Sequence, residues 1–251
     1  TVINPLEKIW NGYSDTRMGA SMDSYLNGYN DPRLPVYFQP VTDGDNKGEY
    51  RGVANGMPNP QQEDYKAMSS PNVQEKSTDS PLRWMMASEV AFLRAEGAMR
   101  GWTAEMGGTA EEFYNKGIEL SFLENGLSAD AAARYAADET SKPTDFTDVS
   151  AANTKYNISA LGKIAIKWNS GASEEEQLER IITQKWIAMF PNGTEAWSEF
   201  RRTGYPRLFP VRYNYPSSGV DTNKQIRRMV FPQSEYSNNG AAVQEAVKLL
   251  G

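Results

Sequence analysis

The feature that most limits what this chain can become is a change of pattern at Leu82. Residues 1–81 hold few long periodic segments and are rich in Gly, Pro, Asn, Asp and Tyr. From Leu82 onward, apolar and small residues recur at three- and four-residue steps. That spacing is the signature of amphipathic helices. The expected product is mainly α, with a loop-rich first third (1–81) and a helical region (82–251). In the first third, DPRLPVYFQP (Asp31 to Pro40) reads as a turn and a short extended piece, because Pro32, Pro35 and Pro40 break helices. DGDNKGEYRG (Asp43 to Gly52) reads as a tight turn, so short β-hairpins are the most β-structure expected. One short helix fits near Glu63 to Met68.

The helical region opens with LRWMMASEVAFLRAEGAMRGW. Met86, Val90, Leu93 and Gly97 mark one stripe, with Ala87, Ala91, Ala95 and Ala98 between them and Gly101 as the stop. In the next helix Thr109 and Glu112 form a capping box, and Phe113, Gly117, Leu120 and Ser121 share a face. The pair reads as a tetratricopeptide-like hairpin. Ser128 caps a short Ala-rich helix, and Ile158 to Trp168 is spaced for another. Ser173 and Glu176 then open a helix whose apolar stripe is Leu178, Ile181, Ile182, Trp186 and Met189. Pro191-Asn192-Gly193 breaks it, a second helix runs to Gly204, and a last one spans about Ala241 to Leu250.

Composition removes most catalytic chemistry. The 251 residues include no cysteine and no histidine, so neither a disulfide framework nor a Ser-His-Asp or Cys-His arrangement exists. A zinc site lacks its usual ligands. A net charge of −6 argues against a nucleic-acid partner, which needs concentrated Lys and Arg. Asp43, Asp45 and Gly48 imitate part of a calcium loop, but Lys47 occupies a ligand position and Ala54 stands where the bidentate Glu belongs. A solvated turn is the better reading. Carboxylate, lysine or tyrosine chemistry remains; paired carboxylates are the strongest enzymatic option, and Glu89, Glu96 and Glu174 to Glu176 all have structural explanations in their helices. No enzyme, cofactor or metal is expected.

The stretch QKWIAMFPNGTEAWSEFRRTGYPRLFPV is the most distinctive in the chain. Trp186 belongs to the stripe with Ile182 and Met189, and Trp197 and Phe200 share a face, so packing accounts for these rings. Arg201 and Arg202 follow Glu195 and Glu199 at helical distances and end a helix, where cations suit the dipole. This stretch closely resembles the C-terminal signature of SusD/RagB-like proteins of Bacteroidetes. DPRLPVYFQP followed by YRG, ASEVAFLRAEGAMRGW followed by AEEFYNKGIELSF, and IRRMVFPQSEYSNN resemble further family segments in the same order.

The resemblance implies a SusD-like C-terminal region in a nutrient-binding protein. Family members are lipid-anchored at the outer membrane, bind oligosaccharides or in some cases peptides, and cap SusC-like TonB-dependent transporters. Members are about twice this length, so the chain is expected to lack the N-terminal half of the fold, which carries the lipidated cysteine. Membrane contact is expected only through that anchor. The alternatives are a peptide-binding member and a protein-interaction module built on the hairpin at 82–125.

A sugar ring stacks its C–H face on an accessible aromatic, and its hydroxyls meet Asn, Asp, Gln or Arg. Trp84, Trp102, Trp168, Trp186 and Trp197 lie in or beside predicted helices; Trp10 does not. Loops near the start of the family's C-terminal half contribute to its ligand surface. The candidate ligand residues are therefore Trp10, Tyr25, Tyr29 and Tyr50, with Asn55 and Asn59 as polar partners. The competing role for each ring is to pack its loop onto the helices with the hydroxyl bonded.

Overall fold

A computed structural model describes residues 4–56, 62–72, 83–149, 155–211 and 220–250. The fold is mainly α. The hairpin forms where the spacing placed it, from α5 (Ala87–Met99) and α7 (Ala110–Glu124), with the single turn α6 (Thr103–Met106) between them. Thr109 and Glu112 make both halves of the capping box that starts α7. The two helices approach closely at Gly117, where a Cβ would lie 2.7 Å from the Phe92 ring. The face expected on α5 holds in part, since Gly97 and the small residues Ala91, Ala95 and Ala98 are buried. Val90 and Leu93 instead face outward, and Ser88 and Phe92 are buried with the small residues. Small residues line the inner face because α5 packs closely on both α7 and α9 (Glu174–Ala188).

Ser128 caps α8 (Ala129–Ala136), and Ser173 caps α9 through the Glu176 N–H. Asn192, inside the expected break, caps α10 (Gly193–Thr203) through the Glu195 N–H at 3.2 Å, and Gly204 ends it in the left-handed conformation. The chain finishes with α11 (Gln233–Asn238) and α12 (Gly240–Leu250). Arg227 lies over the Phe200 ring and donates to the carbonyls of Phe200 and Arg201, so this late segment closes the end of α10.

Three expectations fail. The first third carries a nine-residue helix, α2 (Ala20–Gly28), which lacks an apolar stripe but is buried along much of its length. DPRLPVYFQP contains a single helical turn, α3 (Leu34–Tyr37), with Pro35 in its first turn, where a missing N–H costs nothing. Ile158–Trp168 is not helical. Its residues alternate, with Ala160, Gly162, Ile164, Ile166 and Trp168 buried and Leu161, Lys163 and Lys167 exposed, which is the period of extended chain. The short helix expected near Glu63 is present as α4 (Gln62–Tyr65). Among the described residues, β-pairing is confined to isolated bridges such as Gly19 with Val53 and Phe146 with Ile158.

Beyond the Ile158 bridge this extended segment is unpaired, and that explains two of the buried tyrosines, Tyr29 and Tyr114. There its carbonyls have no ladder partner, and a buried carbonyl must find a donor. Tyr29 Oη donates to Ile164 O at 3.2 Å, Tyr114 Oη to Ile166 O at 2.5 Å and Arg180 Nε to Lys167 O at 3.2 Å. Burial pushes both phenols up, so they stay protonated donors.

Two buried charge networks tie the helices together. Arg33 is fully enclosed. It pairs with Asp31 at 2.6 Å and reaches Ser121 of α7, Tyr135 of α8 and Gln184 of α9. In the second network Lys185 of α9 lies 2.8 Å from both Glu195 and Glu199 of α10 and 3.7 Å from Glu89 of α5. Arg202 grips Glu96 of α5 with two 2.6 Å bonds and also holds Glu199. The expected Arg202–Glu199 pairing is therefore present, and the stronger partner lies on another helix. Glu89 and Glu96 are both committed to cations.

Replacing Arg33 with Met is expected to destabilise the fold by about 3–5 kcal/mol, because Asp31 is left buried without a counter-charge. Urea unfolding followed by circular dichroism measures it. The Glu96 carboxyl is affected most by burial, which raises it, but its bonds to Arg202 and Arg100 together outweigh burial and hold it below its ordinary value of 4.5. A lowered folded value contributes stability above the unfolded value and loses it as pH falls through the folded one. The stability gap between wild type and Glu96→Gln is thus expected to be constant near neutrality and to shrink below about pH 4.5. A gap independent of pH would contradict this.

Candidate functional site

A cavity of about 360 Å³ lies where the N-terminal segment, the start of α2 and the end of α9 meet. Asn4 accepts from the Leu6 N–H at 3.0 Å and, with Pro5, starts the turn α1 (Pro5–Glu7). A π-helical turn, Lys8–Tyr13, follows and carries Trp10. The Trp10 ring stacks on Phe190 with 6.1 Å between centroids and only 9° between planes. Phe190 in turn rests on Tyr37 and Phe38 at 4.9 Å each, so the outer ring of the stack is backed by the core.

The opposite wall is pinned by backbone bonds. Met18 N–H donates to Ser69 O, and Ala20 and Val53 exchange bonds with Val53 O and Met18 O, which sets Gly19 beside Asn55. Ser21 Oγ accepts from Phe209 N–H, and Gln225 Nε2 donates to Phe209 O, both at 3.0 Å. Arg17 is spent on the carbonyls of Ser14, Thr16 and Lys66 and is, among the described residues, the only charged one lining the cavity. The result is a concave, aromatic-walled space with amide and hydroxyl groups and almost no net charge. Such a lining suits a neutral ligand with an apolar face and several hydroxyls.

The structure separates the predicted site residues. Trp10 and Asn55 both line this cavity. Trp10 is 7% exposed, so it offers the cavity only a small part of a ring stacked on Phe190. Tyr25 and Tyr29, 1% and 2% exposed, are corrections: they belong to the core and offer no face to a ligand. Tyr25 packs against Trp186 and Tyr29 against Tyr135, and their hydroxyls are taken by Arg207 and Ile164. Tyr50 is half-buried against the same core and is not among the lining residues. Asn59 lies outside the described residues.

Trp186, assigned to packing, does both jobs, since one side meets Tyr25 and the other lines the cavity with Phe190. Trp197 donates to Ile226 O and is covered by the Arg201 guanidinium at 4.5 Å. Trp84 and Trp102 stand beside helices as expected, but packing does not cover them. Trp84 is 91% exposed and borders a second hollow of about 300 Å³ that shares Leu6, Phe190 and Pro191 with the first. The residues missed by sequence reasoning are therefore Phe190, Trp186 and Gln225. Only the Pro-Asn-Gly break, which turns the chain at the end of α9, hinted that a ring there faces outward.

The family model described as SusD-like, Susd and RagB outer membrane lipoprotein, matches residues 1–251. Among solved structures, the chain is 40% identical to a chitin-binding SusD homologue from Flavobacterium johnsoniae, with a TM-score of 0.86 over 99% of this chain and 50% of that one. A SusD-like protein from Bacteroides thetaiotaomicron is 43% identical, with a TM-score of 0.85 over 98% of this chain and 49% of the other. A SusD homologue from Bacteroides vulgatus is 36% identical, with a TM-score of 0.87 over 98% and 49%. The chain thus spans about half the length of the structures it matches. No curated protein matches it.

The different placements of Tyr29 and Asn55 predict different costs. Tyr29→Phe orphans the buried Ile164 carbonyl and should cost about 1–3 kcal/mol of stability. Asn55→Ala, at an exposed turn, should stay within about 0.5 kcal/mol. Thermal and urea unfolding of the two variants check this, and equal costs would place Tyr29 wrongly.

Proposed function

The chain belongs to the SusD/RagB family, and on that premise we propose that it forms part of a cell-surface glycan-binding protein, with the Trp10–Phe190–Trp186 cavity contributing to the ligand site. The observation that carries this reading is the cavity itself, in which stacked and tilted rings sit beside Asn55 and Gln225 with a single, already satisfied cation. One 40%-identical relative is a chitin-binding SusD homologue, which supports a neutral oligosaccharide as the ligand class. The role is binding without catalysis, and the carboxylates best placed in the helices, Glu89 and Glu96, are engaged by Lys185 and Arg202.

The further parts of the reading rest on the family. The protein sits at the outer membrane through a lipid anchor and passes its ligand to a SusC-like TonB-dependent transporter. No helix among the described residues is long and apolar enough to cross a membrane. A protein-interaction role for the hairpin is the second reading, favoured by Val90 and Leu93 of α5 and Leu123 of α7, which all face outward. Charged substitutions there would weaken transporter association and leave glycan affinity unchanged.

Calorimetry of the whole native protein against neutral oligosaccharides, chitooligosaccharides included, tests the glycan reading. Trp10→Ala is expected to lower affinity about tenfold, equivalent to about 1.4 kcal/mol. Asn55→Ala should lower it several-fold without changing stability. Unchanged affinity in both variants, or no binding across the panel, would sink the proposal.

A further inference from the structure

On a different part of the surface, a groove of about 770 Å³ runs between the turn after α8, the extended segment 161–165 and the outer face of α9. Its charged lining is unusual for this molecule. Lys142, Lys163, Arg180 and Arg207 contribute four cations against the carboxylates of Glu139, Glu176 and Glu179. Glu139 is already held by Lys167 at 2.8 Å. Among the described residues, none of the four cations forms an ion pair. The networks inside the fold behave oppositely, since there each buried charge meets a partner.

Glu179 is the most telling group. It is 9% exposed, yet its carboxylate forms no hydrogen bond or ion pair with any described residue. Burial pushes this carboxyl up, opposed by Arg207 and Arg180 acting through space. Its oxygens are not sealed from solvent: they open onto the groove, where water or a ligand hydroxyl can donate to them.

The cations beside it are positioned. The Arg207 guanidinium lies 4.6 Å over the Tyr205 ring and donates to Tyr205 Oη at 3.3 Å. The Arg207 backbone N–H donates to the buried Tyr25 hydroxyl at 3.1 Å, which fixes where the side chain starts. Arg180 is held by the carbonyls of Lys167 and Glu176. A planar guanidinium fixed by stacking is suited to two-point recognition of a carboxylate.

We infer that this groove is a second saccharide site, selective for acidic sugars of the uronic acid class. The ligand carboxylate meets Arg207, with Lys142 and Lys163 adding long-range attraction. A sugar hydroxyl donates to Glu179, and Leu161 and Ile164 offer apolar surface to the ring. A neutral hydroxyl is a better donor here than an ammonium group, because Arg180 and Arg207 would repel a cation next to Glu179. The site is separate from the Trp10 cavity, with which it shares no lining residue. It therefore does not depend on that cavity binding anything.

The test is calorimetry on the whole native protein with tetragalacturonate and with its fully methyl-esterified, neutral counterpart. The acid form is expected to bind at least tenfold more tightly at 50 mM salt, with the advantage shrinking at 200 mM as screening grows. Arg207→Gln should remove most of that advantage. Glu179→Leu, which deletes the acceptor, should weaken the acid form about tenfold, while Glu179→Gln, which keeps an acceptor, should weaken it no more than threefold. Circular dichroism and the melting temperature confirm that each variant is folded. Equal affinity for the two forms, or tetragalacturonate binding untouched in folded Arg207→Gln, overturns the inference. So does a loss in Glu179→Gln as large as in Glu179→Leu, which would point to an ammonium-bearing ligand. Neutral glycans bound without any preference for the acid form defeat this inference and leave the Trp10 reading standing. Uronide binding that survives Trp10→Ala supports this site whether or not the Trp10 reading holds.

Discussion

The arrangement depends first on a guanidinium with no access to water. Arg33 sits where α7, α8 and α9 converge, and it cannot be there without Asp31 two residues before it. Asp31 also accepts from the Arg33 backbone N–H at 2.9 Å, so charge pairing and turn formation are one event. The remaining donors go to Ser121, Tyr135 and Gln184, and the cation lies about 5 Å over the Phe122 and Tyr135 rings. A buried pair of this kind adds little net stability compared with apolar packing, but it is severely punished if one partner is missing. What it secures is a single relative position for a loop of the first third and three helices of the rest.

The Lys185 network does the same for α5, α9 and α10, and the two networks have neighbouring anchors, Gln184 and Lys185, on one helix. With α9 held from both sides, the chain leaving it at Phe190 has a defined direction. Phe190 can then act as the backing of the Trp10 stack. The aromatic cavity is in this sense a by-product of charge placement: rings are presented at its mouth because ions hold the helices behind them.

How much of this was legible depends on the range of the interaction concerned. The Thr109, Ser128 and Ser173 caps were readable because each involves residues three apart. The α9 stripe was readable because Leu178, Ile181 and Ile182 are large apolar residues at helical spacing, although that helix is enclosed on nearly every side from Leu178 onward. On α5 the small residues Ala91, Ala95, Gly97 and Ala98 were legible as a close-contact face, but Val90 and Leu93 were not separable from them, because large apolar residues satisfy the same spacing and close helix contact selects the small ones. The segment 158–168 was misread because Ile158, Leu161, Ile164 and Trp168 also satisfy helical spacing. The alternation of Ile164 and Ile166 with Lys163 and Lys167 was the truer signal. Helix α2 gave no signal, since a helix surrounded by protein needs no polar side. That omission is why Tyr25 and Tyr29 were mistaken for loop residues able to meet a ligand.

By itself, the amino-acid sequence determined the mainly α class, the helix boundaries marked by caps, the absence of thiol and imidazole chemistry, and the family resemblance. These are local or compositional properties, and neighbouring residues suffice to decide them. Only the tertiary structure decided which aromatics are enclosed and which reach an opening. A tyrosine is buried when some distant carbonyl needs its hydroxyl, as Ile164 needs Tyr29 across 135 residues. A carboxylate is left without a partner when packing brings cations near it but not into contact, as at Glu179. Both outcomes are set by three-dimensional geometry between segments far apart in the chain, where sequence spacing carries no information.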